Sequence, residues 1–148
     1  MKVTIIDADG LILGRLSSIV AKRLLLGEYI NIVNAEKAII SGRKREIIER
    51  YKTWLGIRTA TAPWRGPLHP RRPDLLLKRT VRGMLPWKKQ RGKKAYKRLK
   101  VYIGIPLELQ NKKTLSLEDI NLNHIRGNYM KLGELAQEIG WTPLEKKI

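Results

Sequence analysis

Asp7 and Asp9 stand two residues apart behind the apolar run Val3-Thr4-Ile5-Ile6. Two carboxylates at that spacing could share a divalent cation, and the carboxyl end of a strand is where open α/β sheets bind ligands. Asp7-Ala8-Asp9-Gly10 is also turn chemistry, which needs no ligand and is the commoner role. The stretch Gly10-Leu11-Ile12-Leu13-Gly14-Arg15 sets two glycines ahead of a helix but matches neither a P-loop nor a dinucleotide fingerprint. His69 sits between leucine and proline in a basic loop and His124 stands alone, neither at metal-ligand spacing. Ser17-Ser18 falls inside a helical pattern with no nucleophile-elbow context. The chain has no cysteine, which excludes disulfides, thiol catalysis and cysteine metal sites. No acid, base and nucleophile assemble into a set. The expectation is therefore no catalytic residue, no metal, no cofactor and no small-molecule substrate.

What remains is charge. The 148 residues carry 31 Lys+Arg against 13 Asp+Glu, a formal charge of +18. Self-repulsion on that scale opposes folding unless an anionic partner relieves it. Nucleic acid is the first candidate, an anionic membrane surface the second and an acidic protein the third. The excess is not evenly spread. Residues 1–64 hold 11 cations against 6 acids, residues 65–100 hold 14 against 1, and residues 101–148 hold 6 against 6. In the basic segment Arg65, Arg71, Arg72, Arg79, Arg82 and Arg91 can fork onto phosphate oxygens, while Lys78, Lys88, Lys89, Lys93, Lys94 and Lys97 act as point charges. Cations placed on phosphates release counterions, which drives binding. Trp64 and Trp87 bracket the segment. They could stack on bases or riboses, although anchoring of core or loop is the commoner role.

These cations need a scaffold. Asp74 is placed to cap a helix on which Leu77, Val81, Met84 and Leu85 share a face, ended by Pro86. A second helix is expected over 90–98, with Lys93, Lys97 and Lys100 along one side and Tyr96 and Leu99 inward. Val3–Ile6, Ile30–Val33, a short Ile39-Ile40 and Val101–Ile103 read as strands. Helices are expected from about Gly14 to Gly27, after a capping Ser41 with Ile47, Ile48, Tyr51 and Leu55 inward, and from Leu132 to Ile139 before Gly140. Strands alternating with helices imply an α/β fold with a mostly parallel sheet covered on both faces. No repeat or flexible linker divides the chain, so one domain over 1–148 with a basic helical insertion at 65–100 and a neutral C-terminal segment at 107–148 is expected. No apolar run approaches the roughly 18 residues of a membrane span, and Met1–Ile6 runs directly into Asp7 and Asp9 without a signal-peptide pattern. The expected compartment is the cytoplasm.

Several motifs carry a resemblance. Asp7-Ala8-Asp9-Gly10 with Leu13-Gly14-Arg15-Leu16-Ser17-Ser18 resembles the opening of the large-subunit ribosomal protein L-thirteen family. Val33-Asn34-Ala35-Glu36-Lys37 and Ile40-Ser41-Gly42 are similar to its next signature. Arg65-Gly66-Pro67, the run Arg79 to Pro86, the run Leu99 to Pro106, and Leu132-Gly133-Glu134-Leu135-Ala136 with Gly140-Trp141 resemble its archaeal and eukaryotic versions. Pro106-Leu107-Glu108-Leu109 stands where the bacterial branch is histidine-rich, and the long basic extension of the eukaryotic branch is missing, so the archaeal-type branch fits best. The resemblance implies a three-layer α/β/α fold with a four-stranded, mainly parallel sheet. It also implies a structural role in the large ribosomal subunit, bound to large-subunit (23S-type) rRNA and neighbouring ribosomal proteins. A free RNA-binding regulator and a DNA-compacting protein are the rivals that the same charge would serve.

Overall fold

The computed structural model describes residues 2–144; Met1 and residues 145–148, including Lys146 and Lys147 of the neutral segment, lie outside the described residues. In chain order the elements are β1 (Val3–Asp7), α1 (Leu13–Leu25), β2 (Tyr29–Val33), β3 (Ile39–Ser41), α2 (Lys44–Gly56), α3 (Pro73–Met84), α4 (Gln90–Lys97), β4 (Leu99–Val101), β5 (Tyr129–Lys131) and α5 (Leu132–Glu138).

The first three form a β-α-β unit. β1 pairs with β2 in parallel, Val3 opposite Tyr29 through Asp7 opposite Val33. Helix α1 makes the crossover possible because Leu13, Leu16, Val20, Ala21 and Leu24 recur on one side and are buried there. Its chain leaves through Gly27, whose φ of +98° suits glycine. β4 joins the other edge of β2 in parallel, with Ile30 opposite Leu99 and Ile32 opposite Val101.

That gives a three-stranded parallel sheet in the order β1-β2-β4 and a separate two-stranded antiparallel sheet of β3 and β5. The expected four-stranded sheet is thus not what forms. Asn34 takes a left-handed φ of +55° and the chain makes a single 3-10 turn at Ala35–Lys37 before β3. This redirects β3 away from the sheet: the Ile39 amide donates to the Leu11 carbonyl at 2.9 Å, while the strand pairs with β5 from Ile39 opposite Lys131 to Ser41 opposite Tyr129.

The two faces of the parallel sheet are covered unequally. Ile6, Ile30, Ile32 and Leu99 point into the main cluster with Leu16, Val20 and Leu24 of α1, Leu76, Leu77 and Val81 of α3, and Ala95 of α4. On the opposite face Ile5 and Val33 form a small cluster with Leu109, which stands in a 3-10 turn at Leu107–Leu109, and with Tyr102. The neutral C-terminal segment is part of the main core. It contributes Ile120, Met130, Leu132, Leu135, Ala136 and Ile139, and Leu115 donates its amide to the Ile5 carbonyl at 2.7 Å.

Three local expectations change. Ser41 ends β3, and α2 starts at Lys44 with Arg43 in the capping position and no side-chain cap bond. Asp74 lies in the first turn of α3, not at its cap, because Pro73 occupies the first helical position, where its fixed φ and missing N–H cost nothing. Met84 is 43% exposed, and Leu76 takes the inward place beside Leu77, Val81 and Leu85.

Candidate nucleic-acid interface

Helices α3 and α4 are joined by a five-residue turn, 85–89, that ties them tightly. The Lys89 amide donates to the Pro86 carbonyl at 3.0 Å, and Gly92 in the first turn of α4 lies so close that a Cβ there would fall on the Pro86 carbonyl. With Gly92 and Ala95 buried on the inner side of α4, Arg91, Lys93, Lys94 and Lys97 are all exposed, as are Lys88 and Lys89 before it. Arg79 of α3 is exposed as well.

An aromatic pair locks this surface. Trp87 meets Tyr96 edge-on at 5.1 Å, the Arg82 guanidinium lies 4.0 Å over the Trp87 ring, and the Lys78 ammonium lies 5.0 Å over the Tyr96 ring. Such cation–π contacts hold a charged group in place without neutralising it. Burial raises the Tyr96 hydroxyl above its ordinary pKa of 10.0, while the positive charges of Arg82 and Arg79 pull it back. Lys78, Arg79 and Arg82 of α3 therefore gather around Tyr96 of α4, while Arg91 and Lys94 line a groove with Leu25, Leu26 and Gly27 at the end of α1. Trp87 is an anchor here, half-buried within that pair. Trp64 is not, being 77% exposed.

The remaining predicted cations lie elsewhere. Arg72 and Arg82 are ten positions apart on one helix, roughly 15 Å. Arg72 donates to Asp74 at 3.1 Å. With Arg71, Glu36, Lys37, Glu134 and Trp141 these two residues line a cavity of about 1130 Å³ beside the carboxyl end of β4. Its walls mix both signs. Arg65 is exposed in a 3-10 turn, Pro63–Arg65, in the loop before α3. The twelve predicted cations thus divide among an α3–α4 face, a mixed-charge cavity and a loop.

Among the described residues, Arg72–Asp74 is the one ion pair made by residues 65–100. Helix α2 behaves oppositely: Arg43 pairs with Glu46 at 3.7 Å, Lys44 with Glu134 at 3.3 Å and Arg45 with Glu49 at 3.1 Å. Arg98, the last cation before β4, is structural, since its Nη1 donates to the Leu24 carbonyl at the end of α1 at 3.0 Å. Sequence reasoning expected an inward Tyr96 and an anchoring role for Trp87, but missed the close approach of Gly92 to Pro86. A glycine inside the short basic pattern Gln90-Arg91-Gly92-Lys93 was the available signal, because a helix tolerates one at a cost unless a close contact requires it.

Of the two aspartates, Asp7 turns its carboxylate to the chain around it, and Asp9 is exposed. One Asp7 carboxylate oxygen accepts the Asp9 amide at 3.0 Å and the Asn34 side-chain amide at 2.9 Å, closing the turn after β1 and fixing the left-handed Asn34.

The chain matches the family model for "Ribosomal protein L13" over residues 1–108. It is 50% identical over 139 residues to a protein of Methanococcoides burtonii named large ribosomal subunit protein uL13, covering 93% of this chain and 98% of that one. Proteins of the same name are 49% identical over 140 residues in Methanosarcina barkeri, where 98% of the relative is covered, and in Archaeoglobus fulgidus, where 88% is covered. Each alignment spans 93% of this chain. With the family model over most of the chain and archaeal relatives matched nearly end to end, the chain belongs to the ribosomal protein L13 family, in its archaeal-type form.

Proposed function

We propose that this protein is a non-catalytic structural constituent of the large ribosomal subunit in the cytoplasm, and that it binds large-subunit rRNA chiefly through the α3–α4 face. The observation that carries the reading is the contrast in pairing: the segment with 14 cations makes a single ion pair among the described residues, and its free cations are displayed by two helices pinned together. RNA duplexes are recognised through shape and backbone more than through base edges, which suits a fixed array of long cationic side chains. The expected partners besides rRNA are neighbouring large-subunit proteins, for which the mixed-charge cavity beside β4 is better suited than for phosphate. The family relationship supports the ribosomal setting.

The test uses the full chain. It should co-sediment stoichiometrically with large subunits and prefer large-subunit rRNA over duplex DNA at matched salt. If about six of the exposed cations meet phosphates, affinity should fall roughly 10³-fold between 50 and 200 mM salt. Absence from large subunits would point instead to a free RNA-binding regulator. Equal affinity for duplex DNA would point to an architectural DNA-binding protein.

A further inference from the structure

Trp64 is 77% exposed, and no ring contact engages it among the described residues. An isolated indole in water is unusual on a loop built as rigidly as this one. Pro63–Arg65 form a 3-10 turn in which the Arg65 amide donates to the Ala62 carbonyl at 3.0 Å and the Gly66 amide to the Pro63 carbonyl at 3.2 Å. The turn folds back on Thr59 so closely that a Cβ on Gly66 would lie 3.2 Å from both the Thr59 nitrogen and the Pro63 oxygen. At the loop's base His69 donates Nε2–H to the Ile57 carbonyl at 2.8 Å and meets the Trp54 ring edge-on at 4.4 Å. Pro63, Pro67, Pro70 and Pro73 stiffen what lies between. The indole is therefore held out on a fixed support.

The surroundings say what it meets. No acidic residue occurs between Glu49 and Asp74, a stretch that contains Arg50, Lys52, Arg58, Arg65, Arg71 and Arg72. Arg65 follows the indole directly, Arg58 precedes the Thr59 on which the turn folds back, and both are exposed and carry no ion pair among the described residues. An aromatic face flanked by unpaired cations fits a partner with its own π face and adjoining negative charge. An unpaired nucleotide has both, its base for the ring and its phosphates for the arginines.

We infer that Trp64 stacks on an unpaired base of the rRNA, with Arg65 and Arg58 on the neighbouring phosphates, as a second contact apart from the α3–α4 face. This rests on the rRNA-binding reading above but can fail without it. Stacking is electrically neutral, so it leaves its own signature in a salt titration.

The experiment measures binding of full-length Trp64→Ala, Trp64→Phe and Trp64→Leu proteins to protein-free large-subunit rRNA across a salt series, with Leu68→Ala as an apolar control from the same loop. Trp64→Ala should weaken binding roughly 5- to 150-fold with the salt slope unchanged. Trp64→Phe should retain most of the affinity, and Trp64→Leu, which keeps apolar bulk but no π face, should behave like alanine. Chemical probing should find a single unpaired nucleotide that the wild type protects and Trp64→Ala does not. Circular dichroism should be unchanged in all four, since the side chain is solvent-exposed. Affinity preserved in Trp64→Ala, or restored by leucine, would overturn the inference. So would a defect that appears only when other large-subunit proteins are present, because the occupant would then be protein. In each of those cases the rRNA-binding reading survives if the wild type still binds with a steep salt slope; a wild type that does not bind rRNA removes both.

Discussion

Helix α2 and the α3–α4 pair are both rich in Lys and Arg, but they spend their charge differently. Around α2, residues 43–52 carry five cations and two acids, and Arg43, Lys44 and Arg45 each find a carboxylate, the last two through Glu134 and Glu49. Exposed pairs of this kind contribute only about 0.2–1 kcal/mol each to stability. Their larger effect is to cancel the local field. In α3 and α4 the cations make no ion pair among the described residues, and the structural work is done by Trp87, Tyr96, Gly92 and the turn at Pro86. Counting charges along the sequence therefore ranks these regions by excess, whereas function depends on which charges already have partners.

The comparison breaks most sharply under charge removal. Changing Arg79, Lys89, Arg91, Lys93 and Lys94 together to Gln should lower rRNA affinity by orders of magnitude. It should flatten the salt slope by about 3–5 if each cation meets one phosphate. Arg82 and Lys78 are left in place because they pack on aromatic rings. The matched change of Arg43, Lys44, Arg45, Arg50 and Lys52 should lose far less. Equal losses in a filter-binding salt series would mean that only bulk charge matters.

Rigidity is the next difference. Gly92→Ala drives a Cβ onto the Pro86 carbonyl, so α4 must shift from the turn. Overpacking of this kind costs about 1–3 kcal/mol. Denaturant melts should show that loss, and rRNA affinity should fall although every cation remains. Unchanged affinity would show that the two helices need no fixed relation.

Unmasking α2 should give a smaller effect of opposite sign. Neutralising Glu46, Glu49 and Glu134 to Gln frees Arg43, Arg45 and Lys44 and should raise rRNA affinity several-fold at low salt, an order-of-magnitude expectation from one to a few extra phosphate contacts. The same charge change at Glu108, Glu118 and Asp119 should do less, although Glu118 is also bonded by Ser116.

The smallest expected change is spectroscopic. Burial holds the Tyr96 hydroxyl above 10.0, and Arg82 and Arg79 oppose that. Arg79→Gln should therefore raise it further, read as the onset of tyrosinate absorbance in alkaline titration. Since the folded-state value exceeds the unfolded one, this group's contribution to stability is intact below pH 10 and declines as pH rises from there through the folded value. An unmoved titration would place the Arg79 charge away from Tyr96 and divide the proposed face.

Much of the molecule was legible before any coordinates. The α1 stripe Leu16, Val20 and Leu24 follows a 3.6-residue period, and the parallel β1-β2 pair follows from two apolar runs flanking a helix. Pro86 as a stop and Gly27 as an exit are local chemistry. The expectation for α3 failed at Met84, which is exposed while Leu76 is buried beside Leu77, Val81 and Leu85, and at Asp74, because Pro73 starts the helix and sets its cap two residues earlier at Arg72.

Sequence alone determined the α/β class and the concentration of charge in 65–100, because composition and short-range period contain them. Only the tertiary structure decided that β3 leaves the sheet for β5, whose residues lie about 90 positions away, since strand partners are chosen by non-local packing and carry no local mark. It also decided which of the twelve predicted cations stand free. An arginine reads the same in sequence whether its guanidinium meets Asp74, the face of Trp87 or water. Partners at hydrogen-bond distance come from other elements of the fold, and a charge is available to phosphate only where none of them has claimed it.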